Sequence, residues 1–132
     1  MKGGFVHNRV LLLPIAKSAM EFGAGVEIEV PIRAGKQILF GDLLIRHGDW
    51  SVLVEAEMSS RRIASDVEKA RSLNVTELWI VVPNPRVRRS TQRSLLRQWM
   101  NGKSLDVSIL LLSQALQRLR DLFDLSSVPN VQ

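Results

Sequence analysis

Three of the four carboxylates within residues 41–57 are spaced so that local chain geometry could bring them together. This stretch consists of two apolar runs joined by His47-Gly48-Asp49, which predicts a β-hairpin. Asp42 lies in the first run, and Glu55 and Glu57 end the second. Strand side chains alternate, so Glu55 and Glu57 share a face, and Asp42 joins them if it points to that face of the neighbouring strand. Clustered carboxylates repel unless a cation lies between them. The pattern therefore predicts a site for a hard divalent cation such as Mg²⁺.

The composition is that of a globular protein with one main core. The chain has 132 residues, of which 45% are hydrophobic and 23% charged. We expect one domain over residues 1–125 and a C-terminal tail over residues 126–132. The chain has no cysteine, which excludes disulfide frameworks, thiolate zinc sites and cysteine nucleophiles and is typical of a cytoplasmic protein.

The charge balance points to the class of partner. Eighteen Lys and Arg residues exceed thirteen acidic residues, which gives a net charge of +5 and favours a polyanion. The apolar run Val10–Ile15 is short, contains Pro14 and is followed by Lys17, so we expect neither a membrane span nor a signal peptide.

Periodicity predicts an α/β fold with the element order α-βββ-α-β-α-β-α, a mixed sheet flanked by helices. We place Pro14 in the first turn of the first helix and expect Pro31 to end its strand or mark a sheet edge. A strand, a crossover helix and a strand in succession imply a parallel pair. The predicted helices are 8–22, 59–73, 85–100 and 113–123, and the predicted strands are 26–32, 38–46, 51–57, 77–82 and 106–112.

This order, with acids at these positions, resembles the PD-(D/E)xK nuclease superfamily, which has the restriction-endonuclease-like fold. Gly41-Asp42 stands where the family has Pro-Asp, and Glu55-Ala56-Glu57 stands where it has Glu-x-Lys. The resemblance covers about residues 8–82. The departure is Glu57, because the family's lysine is absent from that position. Some branches of the superfamily have Glu there, and others place a functional side chain on the crossover helix, where this chain offers Lys69.

The resemblance implies a metal-dependent DNA endonuclease that hydrolyses phosphodiesters. Asp42, Glu55 and the carbonyl of Ala56 would hold Mg²⁺, for which Mn²⁺ is a possible substitute, and Glu21 would add an acid from the first helix. We weigh Glu21 against an ordinary surface role.

The remaining predicted catalytic residues are Glu57 and Lys69. Glu57 would accept a proton from water or hold a second ion, and Lys69 would stabilise charge on the transferring phosphate. The alternatives are that both glutamates of the strand are solvated surface and that Lys69 is a surface lysine paired with Asp66 or Glu68.

A series of arginines predicts the DNA-binding surface. They would contact phosphates, which gives affinity without sequence information. The alternative is an ordinary solvated helix face. The predicted DNA-binding residues are Arg62, Arg86, Arg89, Arg93 and Arg97.

The assembly expected is a homodimer, because cutting both DNA strands requires two sites. We find no separate recognition domain, which favours structure-selective cutting or specificity supplied by a protein partner. Two alternatives remain open. One is a catalytically degenerate module of the same fold that binds nucleic acid or assembles with a partner. The other is a small α/β protein that holds a protein through its arginine-rich helix.

The other residues that could carry chemistry have ordinary structural explanations. His7 and His47 are isolated and predict no zinc site. We assign Trp50, Trp79 and Trp99 to the core or an interface rather than to base stacking.

Overall fold

The structure is a computed structural model that describes residues 2–98 and 105–127. Within these ranges the predicted order of four helices and five strands is confirmed. The elements are α1 (Lys2–Glu21), β1 (Gly25–Ala34), β2 (Gln37–His47), β3 (Trp50–Ala56), a 3₁₀ turn (Ser60–Arg62), α2 (Ile63–Leu73), β4 (Glu77–Val82), α3 (Pro85–Gln98), β5 (Asp106–Leu111) and α4 (Leu112–Ser127).

The strands form one mixed sheet in the order β1-β2-β3-β4-β5. The first three strands are an antiparallel meander, whereas β4 and β5 each join parallel to the strand before them. The helices α2 and α3 are the crossovers that parallel pairing requires. The hairpin between β2 and β3 turns on Gly48 and Asp49, and Gly48 has a φ of 61°, which glycine adopts without steric cost. These observations confirm an α/β fold with a mixed sheet flanked by helices.

Two apolar layers enclose the sheet. On one face, α1 and α4 pack against the sheet through residues such as Ile15, Trp79 and Leu119. On the other face, α2 packs through residues such as Ile63 and Ala70. Because both faces are covered, β3 and β4 are almost wholly buried, which accounts for their continuous apolar runs.

Of two prolines with predicted positions, Pro31 lies in an edge strand as expected, whereas Pro14 differs from the expectation. The helix α1 begins at Lys2, so Pro14 lies inside it and not in its first turn. Ile15 and Ala19 next to it are fully buried, and this packing offsets the hydrogen bond that Pro14 cannot donate. The strand β1 continues past Pro31 to Ala34, and it is an edge strand, where a missing N–H is tolerated.

The last elements also differ from their predicted bounds. The helix α4 begins at Leu112 and runs through Ser127, beyond its predicted end at Phe123, and the rest of the expected tail lies outside the described residues. The predicted end of α3 near Met100 lies outside the described residues, and so do Trp99 and Gly102. No helix within the described part of the chain is long and apolar enough to cross a membrane.

Candidate functional site

The predicted carboxylates converge where β2 separates from β3. Regular pairing between these strands begins at Leu43 and Val54, so the next positions, Asp42 and Glu55, are joined through their side chains. The backbone N–H of Asp42 donates to Oε2 of Glu55 at 2.9 Å. The backbone N–H of Ala56 donates to Oδ2 of Asp42, also at 2.9 Å. These reciprocal bonds continue the ladder through two carboxylates and fix both side chains.

The two strands separate because β1 and β2 turn over at this point, so that their side chains change the face of the sheet on which they pack. Val26 packs on the α1 side of the sheet, whereas Val30, an even number of residues later, packs on the α2 side. In a regular strand the two would share a face. Glu29 lies between them with a φ of 56°, directly across from Asp42 in the register, and no backbone pair forms there. The left-handed residue therefore marks the point at which the end of the β1–β2 hairpin turns over, and Asp42 is joined to β3 through side-chain hydrogen bonds instead of a regular backbone pair.

Glu55 is the most constrained of the acids. The residue is 1% exposed, and the second oxygen of its side chain, Oε1, lies 3.2 Å from Nζ of Lys69. Burial, and then the charge of Asp42, raise the pKa of Glu55 to about 7. Burial also raises the pKa of Asp42, against the opposing effects of the Ala56 N–H and Lys69.

Glu57 and Asp66 form the other half of the cluster. Glu57 follows β3 and is held there because its backbone N–H donates to the carbonyl of Val81 at 3.0 Å. Asp66, on the first turn of α2, is 0% exposed, and its carboxylate oxygens receive no hydrogen bond from an N–H or hydroxyl group but lie against the carboxylate of Glu57. Ligand oxygens of Glu55, Glu57 and Asp66 all lie within 4.8 Å of one another. This group of three buried acids could hold a metal ion.

The raised pKa values of Glu57 and Asp66 show that ionising both carboxylates is unfavourable. Burial, followed by the adjacent Glu57, raises the pKa of Asp66 to about 11, and burial also raises the pKa of Glu57. Two ionised carboxylates cannot donate to each other, whereas one proton between them makes a hydrogen bond. Without a cation, Glu57 and Asp66 therefore hold a proton at neutral pH.

Lys69 is part of the site and not a surface lysine. It is 8% exposed, and besides Glu55 its Nζ lies 3.8 Å from Oδ1 of Asp66. Burial alone would lower the pKa of Lys69, but the carboxylates of Glu55 and Asp66 outweigh it, so the net shift is upward. Lys69 is therefore a fixed positive charge beside the acids.

Glu21 is not positioned to join this site. It lies at the C-terminal end of α1, on the opposite face of the sheet from α2. The chain then enters β1 at Gly25, which pairs with Arg46 next to the β2–β3 turn, at the far end of β3 from Glu55. The structure therefore does not bring Glu21 to the acidic cluster, because α1 ends near the β2–β3 turn.

Asp66 is the site residue that the sequence did not identify. Its signal was present, since Asp66 lies three residues before Lys69 on the crossover helix. On the sequence alone Asp66 was a neighbour of Lys69 on the polar stripe of the crossover helix, or its partner if Lys69 were a surface lysine. Its burial became evident only from the packing of α2 on the sheet.

The predicted DNA-binding arginines are exposed, on the 3₁₀ turn and on the helix α3 that contacts this turn. Arg62 ends the 3₁₀ turn and opposes, through its charge, the burial-raised pKa values of Asp42 and Glu57. The helix α3 packs near this turn and has no acidic residue. Its exposed residues include Arg86, Arg89, Arg93 and Arg97. These four arginines and Arg62 are here called the arginine surface.

The tryptophans whose side chains are described have a structural role, as expected. The indole N–H groups of Trp50 and Trp79 both donate to the carboxylate of Glu77 at 2.8 Å. Trp79 is fully buried. This network closes the end of the sheet away from the acidic cluster.

Comparison with known proteins supports the fold alone. The chain is similar to a crystal structure described as a protein of unknown function, AF1548, with a TM-score of 0.53 and 9% sequence identity. The similarity covers 90% of this chain and 70% of that one. No family model and no curated protein matches the sequence.

Proposed function

We propose that this protein is a metal-dependent DNA endonuclease of the restriction-endonuclease-like type. The observation that supports the proposal is the pair of reciprocal hydrogen bonds between Asp42 and the Glu55-Ala56 segment, with Lys69 in contact with Glu55. Four carboxylates and one ammonium group in a small buried volume fit a site for a hard divalent cation better than they fit a stabilising core.

The residues have distinct roles in this proposal. Asp42, Glu55 and the carbonyl of Ala56 would hold Mg²⁺. When bound, the ion would lower the pKa of a water ligand and neutralise charge on the phosphate. Glu57 would accept a proton from water. Lys69 takes the role of the family's lysine from the crossover helix, because its ammonium lies beside Glu55 and can stabilise charge that develops on a phosphate.

The arginine surface would bind the DNA backbone. It adjoins the acidic cluster through Arg62, so a phosphate near the acids would lie within a positive field. Contacts of this kind position a duplex without reading its sequence. The proposal therefore includes structure-selective cutting, or specificity supplied by a protein partner.

A second candidate function is a degenerate nuclease fold that binds nucleic acid without cutting it. The observation that favours it is Glu57, which stands where the family has lysine. The arginine surface serves this function equally well.

The test is cleavage of supercoiled plasmid and of branched DNA with Mg²⁺, Mn²⁺ or EDTA, comparing the wild type with Asp42→Asn. The asparagine oxygen can still accept the N–H of Ala56, so the fold is kept while the charge is lost. We expect metal-dependent cutting that falls by about a hundredfold or more in the variant. The matched control is Asp49→Asn, which changes an exposed acid in the β2–β3 turn.

The outcomes separate the candidates. Equal cutting by the wild type and Asp42→Asn would contradict the proposed site. Binding of DNA without cutting under every metal would establish the degenerate module. If the protein neither binds nor cuts DNA, both the nuclease and the degenerate module would be contradicted. The alternative of a protein that binds a protein partner would then remain.

A further inference from the structure

We propose that the end of the β1–β2 hairpin separates the strands of branched DNA at the acidic cluster, and that the ring of Phe40 stacks on an unpaired base there. This inference rests on the proposed nuclease function, whose substrate class it names. The hairpin end is here the segment from Val30 to Gly41, which pair with each other across the two strands.

The hairpin end is a ribbon of two strands that extends past the pairing with β3. The strand β2 pairs with β3 only from Leu43 to His47, whereas its pairing with β1 continues to Gln37. A ribbon of two strands is marginally stable unless something packs on it. Val30 and Ile32 pack in the apolar layer of α2, so one face of the ribbon is held on the domain.

The other face of the ribbon is exposed and largely apolar. Phe40 pairs with Pro31, and the next pair on this face is Ile38 with Arg33. These positions alternate with the buried ones, and cross-strand partners share a face, so all four point away from α2. Phe40 is 59% exposed and Ile38 is 55% exposed. Single apolar side chains are ordinary on a surface, whereas a group of them marks a binding surface.

The charge of the hairpin end favours a nucleic acid as the occupant of this face. Residues 30–41 contain Arg33 and Lys36 and no acidic residue. Proteins hold unpaired nucleic acid with cations beside an aromatic ring, because the cations bind phosphates and the bases stack on the ring. Every base has a face that can stack, so such a contact requires an unpaired base and not a particular sequence.

The chain places this face beside the acidic cluster. Phe40 precedes Asp42 by two residues, so their Cα atoms are at most about 7 Å apart. In the sheet order, the cluster between β2 and β3 has the hairpin on one side and β4, followed by α3, on the other. Successive phosphates of a DNA strand are about 3.4 Å apart along the helix axis. A base within a few nucleotides of a phosphate at the acids would therefore reach Phe40.

The two faces of the hairpin end indicate why the DNA would be branched. Asp42 bonds to the segment that carries Glu55, whose partner Lys69 lies on α2, whereas Phe40 lies on the face away from α2. An intact duplex keeps its bases stacked inside and offers no base to Phe40. Two strands that diverge at the acids would pass on either side of the hairpin end, one at the cluster and one across Phe40. The hairpin end would then act as a wedge between them.

The test measures DNA binding in EDTA, without cutting. A forked duplex with two unpaired arms and a fully paired duplex of the same length would be titrated by fluorescence anisotropy. We expect the wild type to bind the fork about tenfold more tightly than the duplex. Phe40→Ala should lose about tenfold in affinity for the fork and less than about twofold for the duplex. The matched control is Met20→Ala, a similarly exposed apolar residue near the end of α1, which should bind as the wild type does.

Two further variants separate stacking of the ring from apolar packing. Phe40→Trp should keep the preference for the fork, because an indole also stacks on bases, whereas Phe40→Leu should lose it although the residue stays apolar. Iodouracil placed at the branch point should cross-link to Phe40 of the wild type on irradiation, which peptide mapping would identify. All three variants should melt at the temperature of the wild type, because the side chain is mostly exposed.

Other outcomes would overturn the inference. No preference for the fork, an unchanged preference in Phe40→Ala, or an equal loss for fork and duplex would contradict a wedge. A dimer in the wild type that becomes a monomer in Phe40→Ala, with unchanged DNA binding, would assign the exposed face to contact between two copies of the chain.

Cleavage decides the nuclease proposal separately. Selective binding of the fork through Phe40, without cutting under any metal, would keep the wedge and contradict the nuclease. Metal-dependent cutting that is as selective for the fork in Phe40→Ala as in the wild type would keep the nuclease and contradict the wedge.

Discussion

At the residue scale, the site is defined by acids that cannot all be ionised together without a cation. Glu55 and Asp66 have strongly raised pKa values because both are buried and each faces other carboxylates. Lys69 compensates only one negative charge. The unfolded chain, in which these acids are separate and hydrated, has no such conflict. The folded protein therefore binds more protons than the unfolded chain over a wide pH range.

This difference predicts the pH dependence of stability. The pKa of Glu55 rises from 4.5 to about 7, and that of Asp66 rises from 3.8 to about 11. Between the unfolded and the folded pKa only the folded chain holds the proton, so stability falls as the pH rises through each window. In EDTA, urea denaturation should show the free energy of unfolding decreasing from pH 5 to pH 8, by up to about 1.4 kcal/mol per pH unit for each such proton.

Two comparisons check the cause of this slope. Saturating Mn²⁺ should flatten it, because a cation binds the ionised carboxylates and replaces the proton. Asp66→Asn should also flatten it, because this variant removes one titrating group. Stability that rises from pH 5 to pH 8 in EDTA would contradict the assignment of these raised pKa values.

At the element scale, the site depends on the point where β2 separates from β3. Gly41 lies at this point and permits the separation because it has no side chain. A Cβ atom at this position would lie 2.7 Å from Cδ1 of Leu53, 3.1 Å from Cδ1 of Ile32 and 3.3 Å from Oε2 of Glu55. The strands cross closely here because β2 has turned towards the α2 side of the sheet. The space left for the carboxylate of Glu55 is thus set by a missing side chain.

Gly41→Ala should therefore disturb both packing and cation binding. We expect the variant to lose about 1–2 kcal/mol of unfolding free energy, measured in urea, because the added methyl group must displace buried side chains. We also expect weaker Mn²⁺ binding, since Glu55 shifts. The control is Gly25→Ala in β1, where a Cβ would meet only the carbonyl oxygen of Arg46 at 3.7 Å. Equal stability of the two variants would show that Gly41 is not tightly enclosed.

The helix α3 is the other element with a separable role. Its arginines at positions 86, 89, 93 and 97 are exposed, whereas Arg88 is engaged in structure, because its Nε donates to the carbonyl of Ile109 at 3.0 Å. The arginine surface can therefore be altered without loosening the contact between α3 and β5.

Replacing Arg89 and Arg93 together by alanine should weaken the binding of DNA whatever the base sequence of the DNA. The slope of log K against log salt should become shallower by about one unit for each lost phosphate contact. Fluorescence anisotropy at several salt concentrations measures both quantities. The control is Arg120→Ala, an exposed arginine on α4, which packs on the other face of the sheet. An unchanged slope would show that α3 is ordinary surface.

At the scale of the whole molecule, the two faces of the sheet have different roles. The face covered by α1 and α4 is apolar, and an aromatic network closes its far end. The face covered by α2 and α3 carries the acids, Lys69 and the arginine surface. One layer supplies stability, and the other tolerates buried charge.

We predict that the protein acts as a homodimer, because one acidic cluster per chain can cut only one DNA strand at a time. Sedimentation at cleavage concentrations should give about twice the chain mass of 14.9 kDa. Double-strand cutting should increase more steeply with protein concentration than nicking does. A monomer that cuts both strands in one binding event would contradict this expectation.

The sequence by itself determined the features that arise from local pattern. The order of elements followed from periodicity, and the β2–β3 hairpin followed from Gly48 and Asp49 between two apolar runs. Alternation also placed Glu55 and Glu57 on one face, since the period of a strand does not depend on its neighbours. These local rules predicted most of the fold and the two acids at the end of β3.

Only the tertiary structure decided which distant groups meet. Asp66 became part of the site because α2 packs with that side chain against the sheet, and a helical pattern gives a face without saying what it covers. Glu21 does not meet the other acids, because α1 packs on the opposite face of the sheet from α2 and ends near the β2–β3 turn. The left-handed Glu29 and the turned hairpin end, which bring Asp42 to Glu55, break the alternation on which the prediction relied. In each case the physical reason is the same: contacts between separate elements depend on packing, which local periodicity does not encode.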